Sequence, residues 1–390
     1  MPEPRIIAVL TTGRQDYGIL RGTLLLINKD SRFDLRLFAG GMHLSEKYGR
    51  TVYRIEEDGL TCHERFEWLP DDIESSAACQ TSKALEETAG ALSRHNPEFL
   101  LLVGDRYETA GAALAATLSC IPIVHLHGGE ETEGAFDNAL RHSITKMSHL
   151  HLVSHSDYAA RVIQMGEDPG SVHVVGAPGI DNLFRTDLVS RAELEQRLGI
   201  KLSPPVVLVS VHPTTLGGRE SAEVDAVIAA MERTQASYVI SLPNSDPGNE
   251  QIRSRLKQFA AGCSGAVTTE ALGDRFFPSV LRAADAIIGN SSSGVIEAPV
   301  LGVSTINVGD RQKGRRQGPS IISVPPEADA VARALAYSIT PEFRKVARVG
   351  AQPLEDCKVS ERIVSILRAW KPPHPPRKRF FDLSQECLQS

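Results

Sequence analysis

Two short segments concentrate ionisable side chains, and each directly follows an apolar run. Asp105 and Arg106 come after EFLLLVG, while His127 and Glu130 come after IPIVHL, with Asp137 close behind. Carboxylates and imidazoles held close together shift one another's pKa and transfer protons efficiently. The segments therefore indicate acid/base catalysis rather than simple binding, and the neighbouring His125 is grouped with them.

The same residue types also suit a metal site, because imidazole and carboxylate are common zinc ligands. No H-E-x-x-H or H-x-x-x-H helix accompanies them, and RHSITKMSHLHL (141–152) reads as a helix that runs into a strand. We expect neither a metal ion nor another cofactor.

A run of small residues, Gly289–Gly294, follows the apolar run ADAII and leads into a helical pattern. Such residues at a helix N-terminus expose backbone N–H groups at its positive end, which favours anion binding. Glu297 would repel a bound phosphate, so a ribose diol is its better ligand. The alternative is an ordinary helix cap in which Glu297 takes part, as in a capping box.

Further polar residues follow other apolar runs. GRQDYG (13–18) follows IIAVLTT, and Arg14 there can hold a phosphate through a bidentate fork, although a plain strand-to-helix turn with a surface arginine fits equally well. His212 follows VVLVSV, and Asn244 follows VISLP. The G-x-G-x-x-G spacing of a dinucleotide-binding oxidoreductase is missing from the first of these turns.

The apolar runs themselves predict two sheets. Uninterrupted apolar runs alternate with amphipathic stretches, as in parallel sheets covered by helices on both faces. The rhythm restarts after Pro204 and Pro205, so we predict an α/β protein with two doubly wound domains and ligands at the carboxyl ends of the strands. The predicted strands are RIIAVL, FDLRLFAG, EFLLLVG, IPIVHLHG, HLHLVS and VHVVGAP in the first sheet, and PVVLVSVH, SYVISLPN, SGAVTT, ADAIIGNSSS and VSTINVG in the second.

Length and composition agree with this organisation. A chain of 390 residues exceeds what one hydrophobic core usually supports. The net charge of -6 favours neither nucleic acid nor an anionic membrane as a partner, and no run of about 18 apolar residues is present. The six cysteines contain no C-x-x-C pair and indicate reduced thiols, so we expect a cytoplasmic protein.

Six motifs occur in the order found in UDP-N-acetylglucosamine 2-epimerases: GRQDYG, GDRYE, HLHGGEETEGAFDNALRHSITKMSHLHL, VVGAPGIDN, HPTT and GNSSSGVIEAP. The chain resembles this family over nearly its whole length, and RHSITKMSHLH and NSSSG resemble its hydrolysing branch, of the sialic and legionaminic acid type. The resemblance implies the GT-B fold, two doubly wound Rossmann-like domains with a deep interdomain cleft. We place the first domain at 1–185 and the second, which binds UDP, at 186–365. The helix end and tail, 366–390, would pack back on the first domain.

The resemblance also implies a reaction. Anti elimination removes the C2 proton of a UDP-N-acetylhexosamine and expels UDP, and hydration of the resulting 2-acetamidoglucal gives the free 2-epimer. Asp105, Glu130 and Asp137 become acid/base candidates, and His212 would contact the diphosphate and assist its departure. The remaining candidates for binding the substrate are Arg14, Asp16, Arg106, Arg141, His142, Asn244, Leu272, Ser291, Ser292, Ser293, Gly294, Glu297 and Arg311.

Two residues depart from the family pattern. His127 stands where many 2-epimerases have a catalytic glutamate, and Asn138 stands where relatives often have an acidic residue. His127 could itself be the base, because imidazoles in general titrate near neutral pH. Alternatively the substrate is UDP-N,N'-diacetylbacillosamine instead of UDP-N-acetylglucosamine.

Three other functions stay open. These are a non-hydrolysing 2-epimerase, a GT-B glycosyltransferase and a UDP-sugar sensor without catalysis. The resemblance further implies a homodimer or homotetramer.

Overall fold

The computed structural model describes residues 3–69, 76–131, 137–214, 222–243, 248–270, 272–349 and 358–383. The chain divides into two units. Met1–Glu130, Asp137–Pro178 and Lys358–Ser390 form the first unit, and Glu131–Phe136 and Gly179–Cys357 form the second. Within the described ranges, no helix is both long and apolar enough to span a membrane.

The first unit is built on a sheet whose described strands all run parallel, in the order β3-β2-β1-β4-β5-β6-β7. Its strands are β1 (Arg5–Thr11), β2 (Phe33–Gly40), β3 (Cys62–Phe66), β4 (Phe99–Val103), β5 (Ile123–Leu126), β6 (Leu150–Val153) and β7 (Val172–Val174). Its helices are α1 (Arg14–Lys29), α2 (Val52–Glu57), α3 (Ala77–His95), α4 (Tyr107–Leu118), α5 (Asp137–Met147), α6 (Ser156–Gln164) and α14 (Val359–Ala369).

The second unit repeats this plan with the strand order β10-β9-β8-β11-β12-β13, again parallel. Its strands are β8 (Val206–Ser210), β9 (Ser237–Ser241), β10 (Ala266–Thr269), β11 (Ala286–Gly289), β12 (Ser304–Val308) and β13 (Ile321–Val324). Its helices are α7 (Arg191–Leu198), α8 (Ala222–Glu232), α9 (Asn249–Gly262), α10 (Gly273–Ala283), α11 (Glu297–Val300), α12 (Ala328–Ser338) and α13 (Pro341–Val349).

Alternate residues of one strand enter two different cores, which explains why the strand sequences show no polar alternation. In β1, Ile7 and Val9 pack into one layer, whereas Ala8 and Leu10 pack into the other. The side chains of successive strand residues point to opposite faces, and helices cover both faces here. A continuous apolar run is therefore the pattern that this sheet requires.

Every apolar run predicted to be a strand forms one, and two edge strands were missed. The residues of β3 are mostly half-exposed and include Glu64 and Arg65, while the residues of β13 are half-exposed or exposed. An edge strand has fewer neighbours to bury it, so it needs no continuous apolar run. The prediction from apolar runs alone could not detect these two strands.

The C-terminal segment belongs to the first unit. Arg362 Nε on α14 donates to the carbonyl oxygen of Val175 at 3.0 Å, and Lys378 Nζ lies 2.6 Å from a carboxylate oxygen of the buried Glu167. The predicted boundaries, after residues 185 and 365, lie later along the chain than the observed divisions after Pro178 and Cys357. The whole of α14 thus packs with the first sheet, because its apolar face joins that core.

Candidate functional site

In the first unit, the carboxyl end of β4 and helix α5 bring together two predicted residues. Arg141 NH2 donates to Asp105 Oδ2, and only 2% of the Arg141 side chain is exposed, against 20% for Asp105. A guanidinium this deeply buried requires an anion beside it. The pair anchors the Asp105 carboxylate at the strand end while leaving part of it accessible.

The end of β5 carries His127, whose ring is held by Glu130. The distance from His127 Nδ1 to Glu130 Oε1 is 2.6 Å, and Ser154 Oγ, after β6, donates to the same carboxylate oxygen at 2.7 Å. Both residues of the pair are buried, with 8% of His127 and 2% of Glu130 exposed. This contact links two acid/base candidates directly.

The glycines between them are required by the packing. Gly129 has a φ of +78°, and a Cβ atom built there would lie 2.5 Å from the carbonyl oxygen of Tyr158 on α6. Only glycine combines this backbone angle with so close an approach. The approach brings the loop after β5 against α6, so the His127–Glu130 segment rests on a rigid element.

His125, grouped with these residues from the sequence, serves the core instead. Its Nε2 lies 2.8 Å from the carbonyl oxygen of Gly104, and its Nδ1 lies 3.2 Å from Thr145 Oγ1. Complete burial lowers the pKa of His125 to about 3, so the ring is neutral at physiological pH. The Nε2–H group of this neutral ring donates to Gly104, so His125 joins the end of β4 to α5.

Helix α5 begins at Asp137 and also carries Asn138 and His142, all three of them half-buried. A carboxylate in the first turn of a helix is stabilised by the helix dipole. Asp137 and Arg141 therefore share one helix, and Arg141 holds Asp105 from it. Helix α5 thus carries the acid/base candidate Asp137 and, through Arg141, holds the acid/base candidate Asp105.

Two predicted ligand-binding residues are used inside the first unit. The Asp16 carboxylate accepts hydrogen bonds from the backbone N–H (3.0 Å) and the hydroxyl of Thr12. Burial raises its pKa to about 6, and the Arg106 guanidinium opposes the rise. Arg106 in turn grips the fully buried Glu108 through Nε and NH2, at 3.1 and 3.0 Å. Asp16 thus supports the turn before α1, and Arg106 neutralises a buried carboxylate, while a ligand-binding role for the two side chains stays a prediction.

A buried histidine contacts the end of β1 and the start of α2, and the sequence did not reveal it. His43 is fully buried between Thr11 Oγ1 and Thr51 Oγ1, each 2.9 Å from a ring nitrogen. It ends the 3-10 turn Gly41–His43 after β2, and no sequence motif identifies it. Arg14, at the first position of α1, is half-buried.

In the second unit, the ends of β8 and β11 are clamped together by a buried asparagine. Asn290 Oδ1 accepts from the backbone N–H of His212 at 2.7 Å, and Asn290 Nδ2 donates to the carbonyl oxygen of His212 at 2.8 Å. Ser210 Oγ lies 3.4 Å from His212 Nε2. The position of His212 is therefore set by Asn290, which the sequence indicated only as a member of the Gly289–Gly294 run.

Asn290 also connects to the segment after β12. Its carbonyl oxygen accepts from Arg311 NH1 at 3.1 Å and from Gln312 Nε2 at 2.8 Å. His212, the serine segment and Arg311 thus meet around Asn290, as predicted for residues that follow the strands of one parallel sheet. The sequence placed Asn290 directly after an apolar run and inside GNSSSGVIEAP, but it did not reveal that the side chain would hold His212.

The serine segment forms a 3-10 turn and not the start of a long helix. Ser291 Oγ accepts from the backbone N–H of Ser293 at 3.3 Å and caps the turn Ser292–Gly294, after which α11 has only four residues. Gly289 has a φ of +136°, and a Cβ there would collide with the carbonyl oxygen of Ser210. Ser291 thus caps this turn through its own hydroxyl.

This geometry corrects the electrostatic argument made from the sequence. So short a helix contributes little dipole, because the macrodipole is a sum over aligned peptide units. Any anion affinity must therefore come from the backbone N–H groups and the three half-buried serines, with Arg311 nearby. Glu297 is half-buried at the first position of α11.

Leu272 and Asn244 are two further residues predicted to bind the substrate. The Leu272 side chain is 5% exposed and packs into the core, so only its backbone is available to a ligand. Asn244 lies outside the described residues.

Comparison with known proteins adds family information. A family profile described as UDP-N-acetylglucosamine 2-epimerase matches residues 26–368. The chain is 33% identical to the polysialic acid biosynthesis protein P7 of Escherichia coli over 98% of this chain and 99% of the relative. It is 32% identical to the hydrolysing UDP-N,N'-diacetylbacillosamine 2-epimerase of Legionella pneumophila over 93% of this chain and 96% of the relative.

Among solved structures, the chain is similar to the UDP-N-acetylglucosamine 2-epimerase of Neisseria meningitidis bound to UDP-N-acetylglucosamine. The TM-score is 0.77 with 16% identity, and the match covers 94% of this chain and 100% of that one. At this identity the likeness shows the fold alone, and the predicted GT-B fold is confirmed.

Proposed function

Because the chain belongs to the UDP-N-acetylglucosamine 2-epimerase family, we propose that it hydrolyses a UDP-2-acetamido sugar and inverts C2, releasing UDP and the free 2-epimer. The family and the enzyme class of hydrolysing 2-epimerase, both expected from the sequence, are confirmed. The observation that carries the chemistry is the 2.6 Å contact between His127 and Glu130, beside the carboxylate of Asp105 at the neighbouring strand end.

We assign the proton transfers at C2 of the sugar to side chains of the first unit. A base removes the C2 proton, the electron pair of that bond forms the C1–C2 double bond, and the bond from C1 to the diphosphate oxygen breaks. Water then adds its hydroxyl to C1, while a proton enters C2 from the opposite face. Asp105, His127, Glu130 and Asp137 are the acid/base groups proposed for these transfers, which such side chains accelerate about 10²- to 10⁴-fold each.

We assign binding of UDP, and stabilisation of its charge as it leaves C1, to side chains of the second unit. Charge develops on the diphosphate as the C1–O bond breaks, and fixed donors aimed at that charge stabilise the transition state. His212, Ser291, Ser292 and Arg311 are proposed for this task, because Asn290 holds the strand ends from which they extend. Glu297 is proposed to accept hydrogen bonds from the ribose diol.

Two substrates are proposed, UDP-N-acetylglucosamine and UDP-N,N'-diacetylbacillosamine. The second is supported by the names of two relatives, one from Legionella pneumophila and one from Campylobacter jejuni. The relative from Escherichia coli is named for polysialic acid biosynthesis, which supports a place in sialic or legionaminic acid formation. We also propose a cytoplasmic homodimer or homotetramer, which light scattering on the purified protein would test.

The test is product analysis by mass spectrometry after incubation with each UDP-sugar in deuterated water. We expect UDP and a free 2-epimer that carries deuterium at C2. UDP release without deuterium at C2 contradicts the proposal. A 2-epimer that stays attached to UDP indicates a non-hydrolysing epimerase, and UDP release that requires an added acceptor indicates a glycosyltransferase.

A matched pair of variants separates catalysis from binding. We expect Asp105→Asn to stop deuterium incorporation while UDP still binds with unchanged affinity. Asp329→Asn, at a carboxylate 75% exposed on α12, serves as the control and should keep full activity.

A further inference from the structure

His127 has an unusual backbone and a ring nitrogen that the protein leaves unused. Its φ is +63°, which a residue with a side chain rarely adopts. Its Nε2 is buried, and among the described residues it has no hydrogen-bond partner. Leaving a buried polar nitrogen without a hydrogen-bond partner is costly, so such an atom indicates a ligand that completes its hydrogen bonding.

The protonation of the ring follows from the opposite nitrogen. Glu130 Oε1 lies 2.6 Å from Nδ1 and also accepts from the hydroxyl of Ser154. A carboxylate can only accept, so Nδ1 carries the ring proton and Nε2 carries the lone pair. The buried nitrogen is thus the proton acceptor, and a carboxylate stands ready to stabilise the charged ring.

From this geometry we propose that His127 Nε2 removes the C2 proton of the substrate and that Glu130 is a positioning residue. The inference rests on the proposed function and changes the role expected for Glu130. Nε2 binds the proton, the C–H electron pair forms the C1–C2 double bond, and UDP leaves C1 with the electrons of the broken bond. Glu130 then balances the positive imidazolium, as a buried carboxylate does for a catalytic histidine elsewhere.

The burial and contacts of Glu130 support a positioning role for this residue and the role of base for His127. Only 2% of the residue is exposed, and the oxygen that contacts His127 already accepts from Ser154. The close approach of Gly129 to Tyr158 packs the backbone just before Glu130 against α6. A group so enclosed is well placed to orient a neighbour and poorly placed to reach a sugar carbon.

The variants are chosen to preserve the fold. Asparagine tolerates a positive φ better than most residues, so His127→Asn removes the base and keeps the backbone. Glu130→Gln keeps the size and one acceptor oxygen but removes the charge. His374→Asn, at an exposed histidine of the C-terminal segment, is the control.

The assay measures deuterium incorporation at C2 and UDP release with the UDP-sugar that the wild-type protein turns over. We expect His127→Asn to lower kcat at least about 10³-fold with KM little changed, within the range for loss of a general base. Glu130→Gln should lower kcat less than His127→Asn does, because the base is still present although the carboxylate no longer fixes its tautomer. If His127→Asn retains more activity than Glu130→Gln, the assignment is overturned and Glu130 is the base.

A measurement without substrate keeps the inference separate from the proposed function. In ¹⁵N-histidine NMR spectra, the His127 signals, identified by their loss in His127→Asn, should show a protonated Nδ1 and an unprotonated Nε2. Glu130→Ala should abolish that preference, and a spectrum in which Nε2 carries the proton overturns the inference. If the wild-type protein turns over neither UDP-sugar, the proposed function fails, while the NMR result still decides which nitrogen of the His127 ring carries the proton.

Discussion

Acidification should destabilise the first unit through a histidine that has no part in the chemistry. His43 is fully buried between Thr11 and Thr51, and burial lowers its pKa to about 3 from the ordinary value of 6.5. Between pH 6.5 and about pH 3, the His43 imidazole is protonated in the unfolded chain but stays neutral in the folded protein. The stability contributed by the neutral ring is therefore complete above pH 6.5 and is lost progressively as the pH falls from 6.5 towards 3.

The size of the effect follows from the two pKa values. Each pH unit between them costs about 1.4 kcal/mol, so at pH 5, which lies 1.5 units below 6.5, His43 alone costs about 2 kcal/mol of unfolding free energy. His125 has the same sign, because burial lowers its pKa to about 3. Asp16 has the opposite sign, because burial raises its pKa to about 6 and protonation then favours the folded state.

The experiment isolates His43 by a double difference. Urea unfolding is followed at pH 7 and pH 5, at constant ionic strength, for the wild-type protein and for His43→Gln. Both tryptophans of the chain, Trp68 and Trp370, lie in the first unit, so tryptophan fluorescence reports on that unit alone. The contributions of His125 and Asp16 occur in both proteins and cancel in the comparison.

We expect the wild-type protein to lose about 2 kcal/mol more than His43→Gln between pH 7 and pH 5, whatever the stability of the variant at pH 7. His374→Gln, at an exposed histidine, should keep the wild-type pH dependence. Equal pH dependence in wild type and His43→Gln would refute the reasoning.

Three further changes have expected costs, each measured by urea unfolding. Asn290→Ala leaves two backbone groups unpaired and should cost about 2–4 kcal/mol and weaken UDP binding, whereas unchanged UDP affinity would contradict the clamp. Gly129→Ala, whose Cβ would meet the Tyr158 carbonyl oxygen, should cost at least about 2 kcal/mol, and a neutral result would refute the close approach. Lys378→Met removes a cation 2.6 Å from buried Glu167 and should lower the unfolding free energy of the first unit by about 2–3 kcal/mol. An unchanged unfolding free energy would show that this contact of the C-terminal segment adds no stability.

Much of the fold was readable from the sequence because burial on both sheet faces leaves a local trace. Uninterrupted apolar runs mark the central strands, and the polar residues directly after them mark the carboxyl edge where ligands bind. Asp105, His127 and His212 were predicted in this way, and each follows the end of a strand, although their roles stay predictions. The edge strands β3 and β13 escaped because half of their surroundings is solvent.

The tertiary structure alone decided which of these residues meet. Arg141 reaches Asp105 across 36 positions, Asn290 reaches His212 across 78, and Lys378 reaches Glu167 across 211. These partnerships depend on the order of strands in each sheet, which no local pattern records. The spacing of apolar residues determines which groups are buried and where strands end. The topology determines which buried charge meets its counterion and that His127 Nε2 has no hydrogen-bond partner among the described residues.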